Sequence, residues 1–277
     1  LIPGTFQNLQ IDRLTSVGFY LIETESGEDV LLPNKYITNA MQIGENINVF
    51  IYLDKEHRPV ATTEIPFLTL NEFAFLNVFD VSQAGAFVEW GLEKHLLVPF
   101  DNQLEKMEVG NAYMIHLYWD DKSQRLVGTS KLKKFENKNF VDDIEKGDEV
   151  DIEVYRFSDL GCNVIVNKKY SGLIYKDELF EKIKIGDKRR AFVKAIWEDN
   201  KIDISLNPIG YASIEPNADK ILNILLKENG FLGLHDKSDA WLIVDKLQMS
   251  KKVFKKAIGL LYKEKKILLK ENGIELL

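Results

Sequence analysis

The sequence predicts a multidomain, mainly β chain: three small tandem barrels, then a domain of three helices and a terminal β-hairpin. Three observations predict it. One glycine-marked pattern occurs three times before residue 208. The segments around those glycines are β-rich, with partial apolar–polar alternation. Beyond Pro208 the apolar period becomes helical, and an Asn-Gly pair stands near the end. The boundaries that follow are 1–65, 66–140, 141–208 and 214–277.

The first copy reads Gly18-Phe19-Tyr20-Leu21, Val30-Leu31-Leu32-Pro33 and Ile43-Gly44. The second reads Gly85-Ala86-Phe87-Val88, Leu96-Leu97-Val98-Pro99 and Val109-Gly110. The third reads Gly161-Cys162-Asn163-Val164, Gly172-Leu173-Ile174-Tyr175 and Ile185-Gly186. The two glycines are 26, 25 and 25 residues apart, and the first precedes the Pro or Tyr by 15, 14 and 14. Each copy closes on a β-rich stretch, 49–63, 115–130 or 192–206, broken by a polar turn such as Glu198-Asp199-Asn200-Lys201. Five short strands in about 65 residues suit a small closed barrel such as the OB-fold. The first glycine suits a bend or bulge that a side chain would crowd. The second suits the turn that launches the fourth strand.

The order Gly-x-Phe-Val, Gly-Leu-Val-x, apolar-Gly-Asp, then Ile-x-Leu-Ser-Leu resembles the S1-type RNA-binding domain. The third copy matches that pattern best, through 172–175, 185–187 and 202–206, and the first is the most degenerate. With a winged helix behind them, the three copies resemble the CvfB (conserved virulence factor B) family of bacterial RNA-binding proteins over nearly the whole chain. The resemblance implies a regulator that binds RNA. Departures are specific. Val17, Ala84 and Leu160 stand where the family often has an aromatic before the first glycine, and Pro33, Pro99 and Tyr175 where it often has His. Repeats one and two are therefore expected to serve mainly as scaffold.

In the C-terminal domain, Asn217 is expected to cap a helix carrying Ile221, Leu222, Leu225 and Leu226, ended by Asn229-Gly230. A second helix is expected over about 239–248. Ser250 should cap a third, with Val253, Phe254, Ala257, Ile258 and Leu261 inward. Segments 267–270 and 274–277 flank Asn272-Gly273, a hairpin turn whose two residues take positive φ. Three helices and a wing describe a winged helix, whose third helix reads nucleic acid. Lys251, Lys252, Lys255, Lys256, Lys263 and Lys266, with Lys265, are the candidate phosphate contacts.

The chain is acidic overall, with net charge −7, but unevenly so. Residues 1–65 hold 4 Lys and Arg against 9 Asp and Glu, and residues 66–140 hold 8 against 10. Residues 153–205 hold 11 against 9, and residues 214–277 hold 12 against 9. Phosphate affinity needs local basic surface, so the C-terminal half is favoured. Single-strand sites in such barrels combine aromatic platforms with cations. In repeat three those are Tyr155, Tyr175 and Trp197 with Lys168, Lys169, Lys188, Arg190 and Lys194; the neighbouring Arg189 points to the opposite face. In repeat two they are Phe87 and Trp90 with Lys94 and His95, while Tyr118 is a lesser aromatic candidate and Phe79 is read as core. Repeat one offers Tyr20 and Tyr52.

Catalysis is not expected. His57, His95, His116 and His235 lack metal-ligand spacing, no phosphate loop or nucleophile elbow is present, and Cys162 reads as core. No cofactor and no metal are implied. No apolar run reaches the length of a membrane span. Residues 1–10 are not a secretory signal, and without an initiating Met the true N-terminus is expected upstream. The reading is a cytoplasmic, monomeric single-stranded RNA-binding regulator, acting through repeat three and the winged helix. Two rivals stand beside it: a double-stranded DNA regulator using the winged helix, and a protein-interaction scaffold on ribosome or RNA polymerase, docking through the acidic first repeat.

Overall fold

A computed structural model describes residues 1–136, 140–179, 182–208 and 214–277. The chain divides into two units, residues 1–136 and 137–277. The first holds two five-stranded sheets. The second holds a third such sheet and a three-helix domain.

The first sheet comprises β1 (Phe6–Leu14), β2 (Gly18–Ile22), β3 (Asp29–Pro33), β4 (Asn46–Leu53) and β5 (Pro59–Thr62). It closes in the order β1-β2-β3-β5-β4, with β3 and β5 parallel. The second comprises β6 (Phe73–Ser82), β7 (Gly85–Val88), β8 (Leu96–Pro99), β9 (Ala112–Asp120) and β10 (Arg125–Thr129). Its order is the same, and its outer strands β8 and β10 lie side by side without ladder bonds. A Cβ on Gly128 of β10 would stand 2.9 Å from a methyl of Val98 on β8. The third comprises β11 (Glu149–Ser158), β12 (Gly161–Val166), β13 (Tyr170–Tyr175), β14 (Lys188–Ile196) and β15 (Ile202–Ser205), closed as in the first.

The repeated glycines have a physical cause. At Gly18, Gly85 and Gly161 a Cβ would meet the carbonyl oxygen of Leu32, Val98 or Ile174 at 2.1, 2.3 and 2.1 Å. Only glycine lets the second and third strands approach so closely. The second glycines do something else. Gly44, Gly110 and Gly186 donate their N–H to Ile11, Val78 and Val154, at 2.7, 2.9 and 2.7 Å. Each acceptor directly precedes a bulge in the first strand, at Asp12, Phe79 and Tyr155. The turn before the fourth strand thus fixes the bulge of the first.

The two barrels of the first unit share a core. Phe50, Tyr52 and Val60 of the first pack with Trp90, Leu96 and Ile115 of the second. Phe50 meets Trp90 edge-on, centroids 5.8 Å apart. The third barrel has its own core, which includes Val154, Cys162, Ile174 and Val193.

The C-terminal domain comprises α1 (Ile214–Lys227), β16 (Phe231–Leu232), α2 (Ala240–Leu247), α3 (Lys251–Lys263), β17 (Ile267–Lys270) and β18 (Gly273–Leu276). Its core includes Ile221, Leu225, Ile243, Phe254, Leu261 and Ile274. Ser250 caps α3 as expected, its hydroxyl accepting from the Val253 N–H at 3.2 Å. Two expectations fail. Asn217 is not a cap: α1 already runs from Ile214, and Pro216 lies in its first turn, where no N–H is needed. Nor does Asn272-Gly273 form the hairpin turn. Lys270 pairs with Gly273, so Glu271 and Asn272 turn, and neither Asn272 nor Gly273 has positive φ. Gly273 is there for space, since a Cβ would lie 2.4 Å from the Leu232 oxygen.

Candidate nucleic-acid interface

On the third barrel, β12 and β13 alternate buried Cys162, Val164 and Ile174 with half-buried Asn163, Leu173 and Tyr175. Asn163 pairs with Leu173, and Leu173 with Asp203 on β15. Asp203, a buried carboxylate, raises the Tyr175 hydroxyl pKa above its ordinary value, first through its charge. Lys194 lies over the Tyr175 ring at 5.5 Å. Tyr155, at the bulge, has Arg156 over its ring at 5.7 Å. Trp197 is 55% exposed where β14 ends. Asn163 and Asp203 were not singled out in the sequence; strand alternation around Cys162 and Ile204 is the signal that finds them.

Most of the candidate cations of this barrel are neutralised in place. Lys169 pairs with Asp143 at 2.9 Å, Lys188 with Glu153 at 3.4 Å and Arg190 with Asp151 at 3.2 Å. Arg189 sits 3.6 Å from Asp187, and Lys194 pairs with Glu178. Hydrogen bonds raise the Lys169 pKa, from Tyr170 first and then Asp143, and Glu178 does the same for Lys194. Lys168 is exposed in the turn after β12, with φ 61°. Residues 141–205, counted whole, carry 12 Lys and Arg against 15 Asp and Glu. The basic balance of 153–205 vanishes once 141–152 is included.

In the second barrel the candidates separate. Trp90 is 3% exposed, and its indole donates to the Lys94 carbonyl at 2.5 Å. It belongs to the shared core, edge-on to the first barrel's Phe50, and is also among the residues lining the cavity that Phe87 lines. Lys94 is half-buried and donates to the carbonyls of Leu53 and Asp54 at 2.8 and 2.7 Å. Phe87 is half-buried and lines a cavity together with His95. Phe79, expected in the core, is 55% exposed: the bulge turns it outward, where its ring meets that of His95 at a tilt of 39°, centroids 4.0 Å apart. Tyr118 is held by Asn102 and Phe135. In the first barrel, Tyr52 is buried, its hydroxyl pushed up to about 12 chiefly by that burial, and Tyr20 lies under Arg13 at 4.3 Å.

The third helix of the C-terminal domain is different. Lys252, Lys255, Lys256, Gly259, Tyr262 and Lys263 are all exposed and share one stripe at i, i+3, i+4 spacing. Among the described residues none of these four lysines has a carboxylate at ion-pair distance. A Cβ at Gly259 would touch nothing. Lys251 is half-buried at the helix start, and Lys266 pairs with Glu264 at 2.9 Å. Tyr262, 54% exposed within the stripe, is an aromatic the lysine pattern hid.

Residues 3–64 match the model of the S1 domain, and residues 219–276 match that of a CvfB-like winged helix domain. The S1 match falls on the repeat whose motif reads as most degenerate. The chain is 29% identical to the uncharacterized protein YitL of Bacillus subtilis (strain 168), over 98% of this chain and 92% of that one. It is 25% identical to conserved virulence factor B of Staphylococcus saprophyticus, over 99% and 94%. Among solved structures, a multidomain protein with nucleic acid binding domains from Streptococcus pneumoniae TIGR4 is 25% identical over 99% of this chain and 98% of that one, with a TM-score of 0.41.

Proposed function

From the premise that this chain resembles the CvfB family from end to end, we propose that it binds nucleic acid, with single-stranded RNA as the ligand. It acts as a cytoplasmic regulator and not as a catalyst. The four-part division at 1–65, 66–140, 141–208 and 214–277 belongs to the same proposal. The observation that carries it is the stripe on α3, where Lys252, Lys255, Lys256 and Lys263 present charge that no described carboxylate offsets. Gly259, which disfavours an exposed helix by about 1 kcal/mol relative to Ala, leaves room at the centre of the stripe for a backbone to approach. The third barrel contributes differently. Its candidate cations Lys169, Lys188, Arg190 and Lys194 are paired, so it holds bases through Tyr175, Tyr155, Trp197 and Asn163, while α3 holds phosphates.

Titrating the full chain with a short single-stranded RNA at two salt concentrations tests this. Binding should weaken steeply as salt rises, because phosphate contacts release counterions. No binding at micromolar protein, or binding indifferent to salt, overturns it. The α3 stripe also supports a second reading, duplex DNA held in the manner of other winged helices. A duplex bound more tightly than the single strand would favour that reading.

A further inference from the structure

A cavity of about 330 Å³ lies between the two barrels of the first unit; it gathers the repeat-two candidates Phe87, Trp90, Lys94 and His95 but has no part in the function proposed above. Small-molecule sites run from roughly 300 to 1,000 Å³. Its lining is largely apolar and includes Phe87 and Leu97, with His95 at one side. His95 in turn lies tilted against the exposed ring of Phe79, which makes an aromatic ledge beside the cavity.

The charge around it is unusual for this unit. Residues 1–136 carry 11 Lys and Arg against 19 Asp and Glu. Yet Lys55 of the first barrel and Lys94 and Arg125 of the second all line the one cavity. Lys94 is fixed by the carbonyls of Leu53 and Asp54. Burial chiefly pushes its pKa down; the Asp54 charge opposes that shift, and the charges of Arg125 and Lys55 add to it. Lys55 and Arg125 are exposed, and among the described residues neither has a carboxylate at ion-pair distance. Like charges gathered at an apolar cavity repel one another, and a bound anion relieves that repulsion. The complementary ligand is a flat apolar group that carries an anion.

We infer that this cavity takes one nucleotide, its base against Phe87 and the apolar wall and its phosphate between Lys55 and Arg125. Choosing a nucleotide among aromatic anions rests on the nucleic-acid reading; the convergence of charge and cavity does not. The first barrel then supplies a phosphate contact and is more than scaffold. The nucleotide comes either free in solution or as one unit of a strand whose neighbouring base lies on the Phe79–His95 ledge.

The test is calorimetric titration of the full chain with adenosine 5′-monophosphate, adenosine and hexaadenylate RNA. The expected result is saturable binding of the monophosphate, weakened about tenfold or more in the double variant Lys55→Glu, Arg125→Glu. Adenosine, lacking the phosphate, should respond by less than about twofold. Lys122→Glu, an exposed charge outside the cavity, should change neither. Competition between the monophosphate and the RNA assigns the site to a strand; monophosphate binding without competition assigns it to a free nucleotide. No saturable monophosphate binding, or binding untouched by the double variant, overturns the inference. That failure leaves RNA binding through α3 standing. Conversely, charge reversal on α3 that spares RNA binding would sink the proposed function and leave the monophosphate titration intact.

Discussion

The third barrel and helix α3 both look basic along the sequence, but they present that charge in opposite ways. In the barrel, Lys169, Lys188, Arg190 and Lys194 each face a carboxylate of the same barrel. On α3, Lys252, Lys255, Lys256 and Lys263 face solvent along one stripe. Exposed ion pairs add little stability, about 0–1 kcal/mol, but they cancel the field a phosphate would feel. The number of cations therefore says less than the number left uncompensated. The proposed function divides binding accordingly: electrostatic attraction from the helix, stacking and hydrogen bonding from the barrel.

That division is open to direct test. The triple charge reversal Lys252→Glu, Lys255→Glu, Lys256→Glu should lower RNA affinity on the order of 100-fold at moderate salt and flatten the salt slope by about three. An unchanged slope would mean the phosphates lie elsewhere. Tyr175→Ala should cost about tenfold in affinity, within the range of one lost base stack, with little change in slope. It should exceed the loss from Phe87→Ala in the same RNA titration; equal losses would refute that ranking. Asp143→Asn with Asp151→Asn should act in the opposite direction. Releasing Lys169 and Arg190 should tighten binding about threefold and steepen the slope by one to two. Weaker binding would show that the pairs position the ligand rather than compete with it.

The smallest effect serves as a check on the barrel itself. Burial pushes the Cys162 thiol up to about 11. The neutral thiol is thus favoured in the fold. Its stabilising contribution is complete below the ordinary thiol pKa and is lost as pH rises through that value towards 11. A thiol reagent at pH 8 should leave the native chain unlabelled and label it once denatured. Prompt native labelling would show that the barrel opens.

Much of the fold could be read from the sequence because backbone contact forces it. Gly18, Gly85 and Gly161 are glycine since a carbonyl occupies the space of their Cβ, and steric rules of that kind recur at fixed spacing. The site was less legible. Trp90 is buried and Phe79 exposed because each depends on something remote: Phe50 of the preceding barrel covers Trp90, and a bulge pinned by Gly110 rotates Phe79 outward. The pairing of Lys169 and Arg190 is hidden because their partners, Asp143 and Asp151, stand in the acidic segment 141–152, ahead of the basic stretch 153–205. Helix α3 was legible because a helix shows its exposed face at regular intervals, with no distant strand involved.

The pinned bulge also bears on how such repeats diverge. Its residue stands six positions before the first glycine in all three copies, as Asp12, Phe79 and Tyr155. The two bonds that hold it come from the backbone: Gly44, Gly110 and Gly186 donate to the preceding residue, whose own N–H is taken by Glu45, Asn111 and Asp187. Neither bond consults the side chain at the bulge. The position behaves as a socket of constant shape that accepts an acid, a phenyl ring or a phenol with the barrel beneath unaltered. One duplicated framework can thereby drift from repelling a polyanion to stacking on it by a single substitution.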